Sequence, residues 1–162
     1  MAIGQAAPAA GTSGTATAPA KVNLIRPITL RRAQDLWFGC LVIDPNSGQL
    51  QIVQTAADGG GTRKPDPPGV SQLLTSARPW HNARFEVGGQ SEAGFTVTMP
   101  GYPIVIHGPG LQTMLVRLNY YCSDTMIDPQ GSSIWVGGKL DIPENPRPGH
   151  YSGDFEVTVA YQ

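Results

Sequence analysis

Charge is scarce in this chain. Asp, Glu, Lys and Arg make up only 14% of its 162 residues, and 11 basic against 12 acidic side chains leave a formal net charge of −1. No basic stripe is available for a phosphate backbone or an anionic lipid surface, so neither nucleic acid nor membrane is an expected partner. Long apolar runs are missing too. Nothing approaches the ~20 consecutive residues that a spanning helix needs, and no transmembrane segment is expected. Cysteine is nearly absent: Cys40 and Cys122 stand alone, outside any CxxC or Cys/His cluster, which argues against a metal site. Two readings of the pair stay open. Export would permit a single disulfide, stabilising by about 4–5 kcal/mol in the chain-entropy model. Otherwise they are two separate thiols.

Catalytic patterns are also lacking. His81, His107 and His150 fall on expected loops or strand ends, with no HExxH, GxSxG or paired His/carboxylate spacing around them. His150, in "PRPGHYSG", reads as a solvated turn residue. "RPWHN" sets Trp80 beside His81 and admits a sugar-stacking patch or, more simply, an aromatic anchor packed on the domain. "GGGTRK" has neither the GK[ST] ending nor the following helix of a phosphate cradle, and reads as a loop. The acidic residues form no calcium-loop run. The expectation is a non-enzyme without cofactors.

What is abundant is punctuation. Twenty Gly and fifteen Pro disfavour helices and suit many short strands joined by turns. No segment carries a 3.6-residue apolar period over three turns. Strand patterns recur instead: "ITLRRAQ", then the apolar "FGCLVI", "GQLQIVQTA" after the turn signal "DPNSG", and then "ARFEVGG", "GFTVTMP", "PIVIHG", "TMLVRLNYYC", "SIWVGGKLDIP" and "DFEVTVAYQ". Residues 56–80 form a long Gly/Pro-rich connection of the kind that is functional, partly disordered or built from short irregular pieces. The expected fold is an all-β sandwich with immunoglobulin-like punctuation.

The two ends of the chain pose a matching problem. In the last strand Phe155, Val157, Val159 and Tyr161 fall on one face, with Glu156, Thr158 and Ala160 on the other. A strand of this kind wants a neighbour on each side, and no later strand in the chain supplies one. At the other end, residues 1–24 are a low-complexity extension rich in Ala, Gly, Thr and Pro, with neither a basic n-region nor an apolar h-region. Within it Ala16, Ala18, Ala20, Val22 and Leu24 alternate with polar residues in strand fashion. Pro19 suits an edge position. The expected organisation is this extension followed by one domain over 25–162.

The C-terminal residues carry a resemblance. "VGGKLDIP", a Pro-rich connection and "GHYSGDFEVTVAYQ", together with "DLWFG" near the start, resemble an uncharacterised family of secreted bacterial β-sandwich domains. That family is in turn similar to spore-coat-U-type and chaperone–usher pilin subunits, which likewise end on an alternating strand with tyrosine next to last. Pilins commonly set a cysteine early in the first strand, where this chain has Pro27 and Ile28, so their disulfide is not carried over by position.

The resemblance implies an incomplete pilin-type sandwich, exported to an extracellular or cell-surface filament. Each subunit would be completed by a strand donated from the next one. Identical subunits would be the partners in a head-to-tail homopolymer, handled by a periplasmic chaperone and an outer-membrane usher. Ala16, Ala18, Ala20, Val22 and Leu24 would form the donor face. Phe155, Val157, Val159 and Tyr161 would line the acceptor groove, with Leu36, Phe38, Leu140 and Ile142 beside them. A second arrangement uses the same residues within one chain: segment 15–24 folds back, giving a self-complemented monomer with an adhesive or binding role.

Overall fold

The computed structural model describes residues 11, 15–43, 50–58, 61–66, 72–74 and 79–162, with main chain alone at 50–51, 63–66 and 72–74. The turn read at 44–48 and most of residues 1–14 lie outside the described residues. The chain is all-β. Its strands are β1 (Thr29–Gln34), β2 (Cys40–Val42), β3 (Leu50–Gln54), β4 (Arg63–Asp66), β5 (Gln72–Leu74), β6 (Ala83–Gly88), β7 (Phe95–Thr98), β8 (Ile104–His107), β9 (Thr113–Cys122), β10 (Ser132–Ile142) and β11 (Thr158–Tyr161). A 3-10 turn, Pro109–Leu111, joins β8 to β9.

Strand β10 organises the large antiparallel sheet. One edge pairs with β9 from Ile134 to Asp141. The other edge changes partner midway: Ser132–Val136 pair with β6, and Gly138–Ile142 pair with β3. Gly137 sits at the changeover, where a Cβ would lie 2.4 Å from the Gln54 carbonyl oxygen and 2.9 Å from the Ala56 nitrogen. Only glycine lets the β3 exit pass this close. β1 and β4 extend the sheet beyond β6 and β3, and β8 pairs with β9. Two separate ribbons, β7–β11 and β2–β5, complete a sandwich-like arrangement.

The core is two clusters rather than one. Ile52, Ile104, Met114, Val116, Leu140 and Ile142 form the first, against which Phe38, Leu41 and Ile43 pack. Ala83, Val87, Phe95, Ile127, Ile134 and Val136 form the second, covered by Leu30, Leu36, Phe85, Val97, Val157, Val159 and Tyr161. Phe155 packs against both. Alternation puts Ile134, Val136, Leu140 and Ile142 on one face of β10, and the change of partner at Gly137 divides them: the two beside β6 enter the second cluster and the two beside β3 the first.

Two expectations need correction, and one open choice, that of the cysteines, is decided. The 56–80 connection is not loop throughout: it contains β4, which pairs with β3, and β5, which pairs with β2. Pro65 sits within β4, a strand at the end of the sheet order, the place where a missing N–H is tolerated. Residues 59–60, 67–71 and 75–78 of that connection lie outside the described residues. The cysteines do not pair. Both are free thiols, because Cys40 belongs to the β2–β5 ribbon whereas Cys122 ends β9, where its thiol donates to the Asp124 carbonyl at 2.8 Å. Finally, the ladder of the last strand covers only Thr158–Tyr161, although the inward–outward alternation begins at Phe155.

Candidate functional site

The open edge of β11 is the candidate site. Among the described residues β11 pairs with β7 alone, Thr158 opposite Thr98 through Tyr161 opposite Phe95. Immediately beyond, the Gln162 N–H donates to the Gly94 carbonyl at 3.1 Å. Antiparallel ladders alternate, so the even-numbered residues bond toward β7. The main-chain groups of Val157, Val159 and Tyr161 then face the opposite way, toward β1. Their side chains are the half-buried ones. Unpaired amides and inward apolar groups therefore belong to the same residues, and this combination is what an added strand needs. β1 approaches β11 directly but forms no ladder with it, and among the described residues β1 is bonded only to β6. Leu30 and Leu36 from this side, with Phe85 behind them, cover the same core cluster as β11.

One end of this β1–β11 approach is tied. The Tyr161 hydroxyl donates to the Arg26 carbonyl at 2.6 Å and accepts the Gln90 N–H at 2.8 Å. The next residue, Pro27, biases Arg26 toward extended backbone. Upstream of this tie, residues 15–25 pair with no described strand, and their side chains are exposed. Val22 is 80% exposed and Leu24 90%. The strand-like alternation is thus present in a segment that occupies no sheet.

The sequence-derived residues separate into groups. Ala16, Ala18, Ala20, Val22 and Leu24 lie together on this free segment. Phe155, Val157, Val159, Tyr161 and Leu36 meet on the second core cluster, beside the open edge. Phe38, Leu140 and Ile142 belong to the first cluster, which they share with Phe155 alone of that group. Leu140 and Ile142, at 3% and 0% exposure, are sealed core side chains rather than groove lining. Arg26 and Gln90 escaped the sequence reading, since nothing in a local pattern links residues so far from Tyr161 along the chain.

The histidines remain dispersed. His150 is exposed but stacks on Trp37, ring centroids 6.1 Å apart, and so is not simply a solvated turn residue. His107 ends β8 in a two-residue bridge with Ser152, and the His81 ring bonds the Asp35 carbonyl at 2.7 Å. Of "GGGTRK", Gly59 and Gly60 lie outside the described residues, and Arg63 and Lys64 open β4. Among the described residues no three His, Cys, Asp or Glu side chains converge as a metal site would require, and no helix is long and apolar enough to cross a membrane.

Compared with known proteins, residues 28–161 match the family described as "Domain of unknown function (DUF4402)". No curated protein matches the chain, and no solved structure does.

Proposed function

We propose a function on the premise that the chain belongs to the DUF4402 family: it is a structural subunit of an extracellular bacterial filament, assembled head-to-tail by donor-strand exchange. The fold in this reading is an immunoglobulin-like, pilin-type sandwich with one strand position open. The observation that carries the reading is the pairing of an open β11 edge with an exposed, alternating segment just upstream of β1. Segment 15–25 of one subunit adds between β1 and β11 of the next, parting two strands that touch without a ladder, its main chain pairing with the β11 edge and its apolar face covering the second core cluster.

Burial of Val22 and Leu24 contributes about 1.5–3 kcal/mol each, and each alanine under about 1 kcal/mol. Every ladder bond adds about 1 kcal/mol. Such a contact is heterologous, so its repetition extends a chain instead of closing a dimer. The work of the protein is then assembly rather than catalysis, carried out after export.

Migration of native material on SDS gels with and without boiling, together with negative-stain microscopy, tests the reading. A ladder that collapses to monomer only on boiling, with fibres on the grid, is expected. A single monomer band without fibres would favour the self-complemented alternative, in which the segment closes its own gap.

A further inference from the structure

A second feature lies away from the β11 edge. A cavity of about 210 Å³ is lined by Gln34, Gly61, Trp80, His81, Asn82 and Trp135. Strand register explains how such distant residues meet. Arg84 of β6 stands opposite both Gln34 of β1 and Trp135 of β10, which places the three in one row across neighbouring strands. Trp80, His81 and Asn82 lead directly into β6.

The walls are fixed before any ligand arrives. Asn82 is 5% exposed; its Oδ1 accepts from Gln54 Nε2 at 2.7 Å, and its Nδ2 donates to the Thr55 carbonyl at 3.0 Å. His81 Nδ1 lies 2.7 Å from the Asp35 carbonyl, so in the neutral ring that nitrogen carries the proton and Nε2 remains an acceptor. The Arg84 guanidinium lies 5.5 Å from the Trp135 ring centroid and pairs with Glu86, a carboxylate it shares with Arg31. Among the described residues the lining holds no carboxylate, lysine or arginine. Of the lining residues, Trp135 has a buried indole nitrogen without a hydrogen-bond partner among the described residues, and Oε1 of Gln54, the residue bonded to Asn82, also lacks one. Buried groups of this kind ordinarily find a partner.

Two indoles, two amides and an imidazole with no net charge form a distinctive chemical set. Aromatic walls take the C–H faces of a ring, and neutral amides and imidazole take hydroxyl groups at its edge. The volume falls below the roughly 300–1,000 Å³ of pockets for drug-sized ligands, which suits one ring. We propose that this cavity binds a single neutral hexopyranose unit, such as the end residue of a glycan. The described lining offers no cation to an acidic sugar or a phosphate. The site does not depend on filament assembly, although repetition along a filament would raise its avidity.

The test is ligand-observed saturation-transfer NMR and tryptophan-fluorescence titration of the full chain with glucose, galactose, mannose and N-acetylglucosamine. Two of the three tryptophans line the cavity, so bound sugar should alter emission. Saturation transfer to at least one hexose is expected, with discrimination among the epimers and millimolar affinity of the order usual for one small ring. Trp80→Ala should weaken binding by about tenfold or more, and Gln34→Ala by several-fold. Glu156→Lys, on an exposed position of the last strand segment, should leave binding unchanged. Circular dichroism checks the fold of each variant, and Gln34→Ala keeps the test decisive should Trp80→Ala misfold. Absence of transfer to all four sugars, or equal binding by wild type and both cavity variants, would overturn the assignment.

Discussion

The Tyr161 hydroxyl joins two segments that lie far apart in the chain, donating to the Arg26 carbonyl at 2.6 Å and accepting the Gln90 N–H at 2.8 Å. It thereby ties the end of β11 to the approach of β1 and to the turn after β6. Segment 15–25 leaves from this tie, and Pro27 opposes a tight reversal back into the gap. In the filament reading, the bond directs the segment outward to a neighbour. Tyr161→Phe deletes both hydrogen bonds while keeping the ring, and should lower stability by about 1–3 kcal/mol. Urea denaturation measures this; an unchanged midpoint would mean that the tie carries no free energy.

The two faces of the last strand should respond differently. Val159 packs on the second core cluster, whereas Glu156 is exposed. Val159→Asp should abolish assembly and Glu156→Lys should not, as read by the boiling-sensitive gel ladder. Equal loss from both changes would contradict the assigned faces.

The donor segment can be altered without touching the folded body, because Val22 and Leu24 are exposed. Replacing both with Asp should yield soluble, folded subunits that do not extend chains. Filaments of normal length from this double variant would remove the segment from the assembly scheme.

Glu86 gives the fold an acid sensitivity. Its carboxylate accepts from Arg84 Nη2 and, at 3.1 Å, from Arg31 Nε. The Arg84 hydrogen bond first, and the Arg31 bond next, hold its pKa below the ordinary glutamate value. A depressed folded-state pKa gives a contribution that is complete above the unfolded-state value and is lost as the pH falls through the folded-state value. Glu86→Gln should therefore flatten the acid limb of a plot of urea midpoint against pH. The effect should be small, since the pair is open to solvent. Parallel limbs for the two proteins would show that Glu86 contributes no linkage.

Much of the strand content was legible because alternation is a local property. "ARFEVGG", "GFTVTMP", "PIVIHG" and "TMLVRLNYYC" each hold a strand, and the inward face of the last segment runs Phe155, Val157, Val159, Tyr161 as its spacing indicates. The strands in the 56–80 connection were not legible. β4 carries Pro65 and two charged neighbours, a composition that reads as loop until β3 supplies its partner.

By itself, then, the sequence determined the all-β class, the faces of the strands and the alternating upstream segment, all of which follow from side-chain order along a pleated chain. The tertiary structure decided which alternating residues share a core. It sent Leu140 and Ile142 to one cluster and Val159 and Tyr161 to another, left Cys40 and Cys122 apart, and brought Gln34, Trp80 and Trp135 to one cavity. The physical reason is register. A strand's pattern states which side chains point inward, but only its ladder partners state what they meet there.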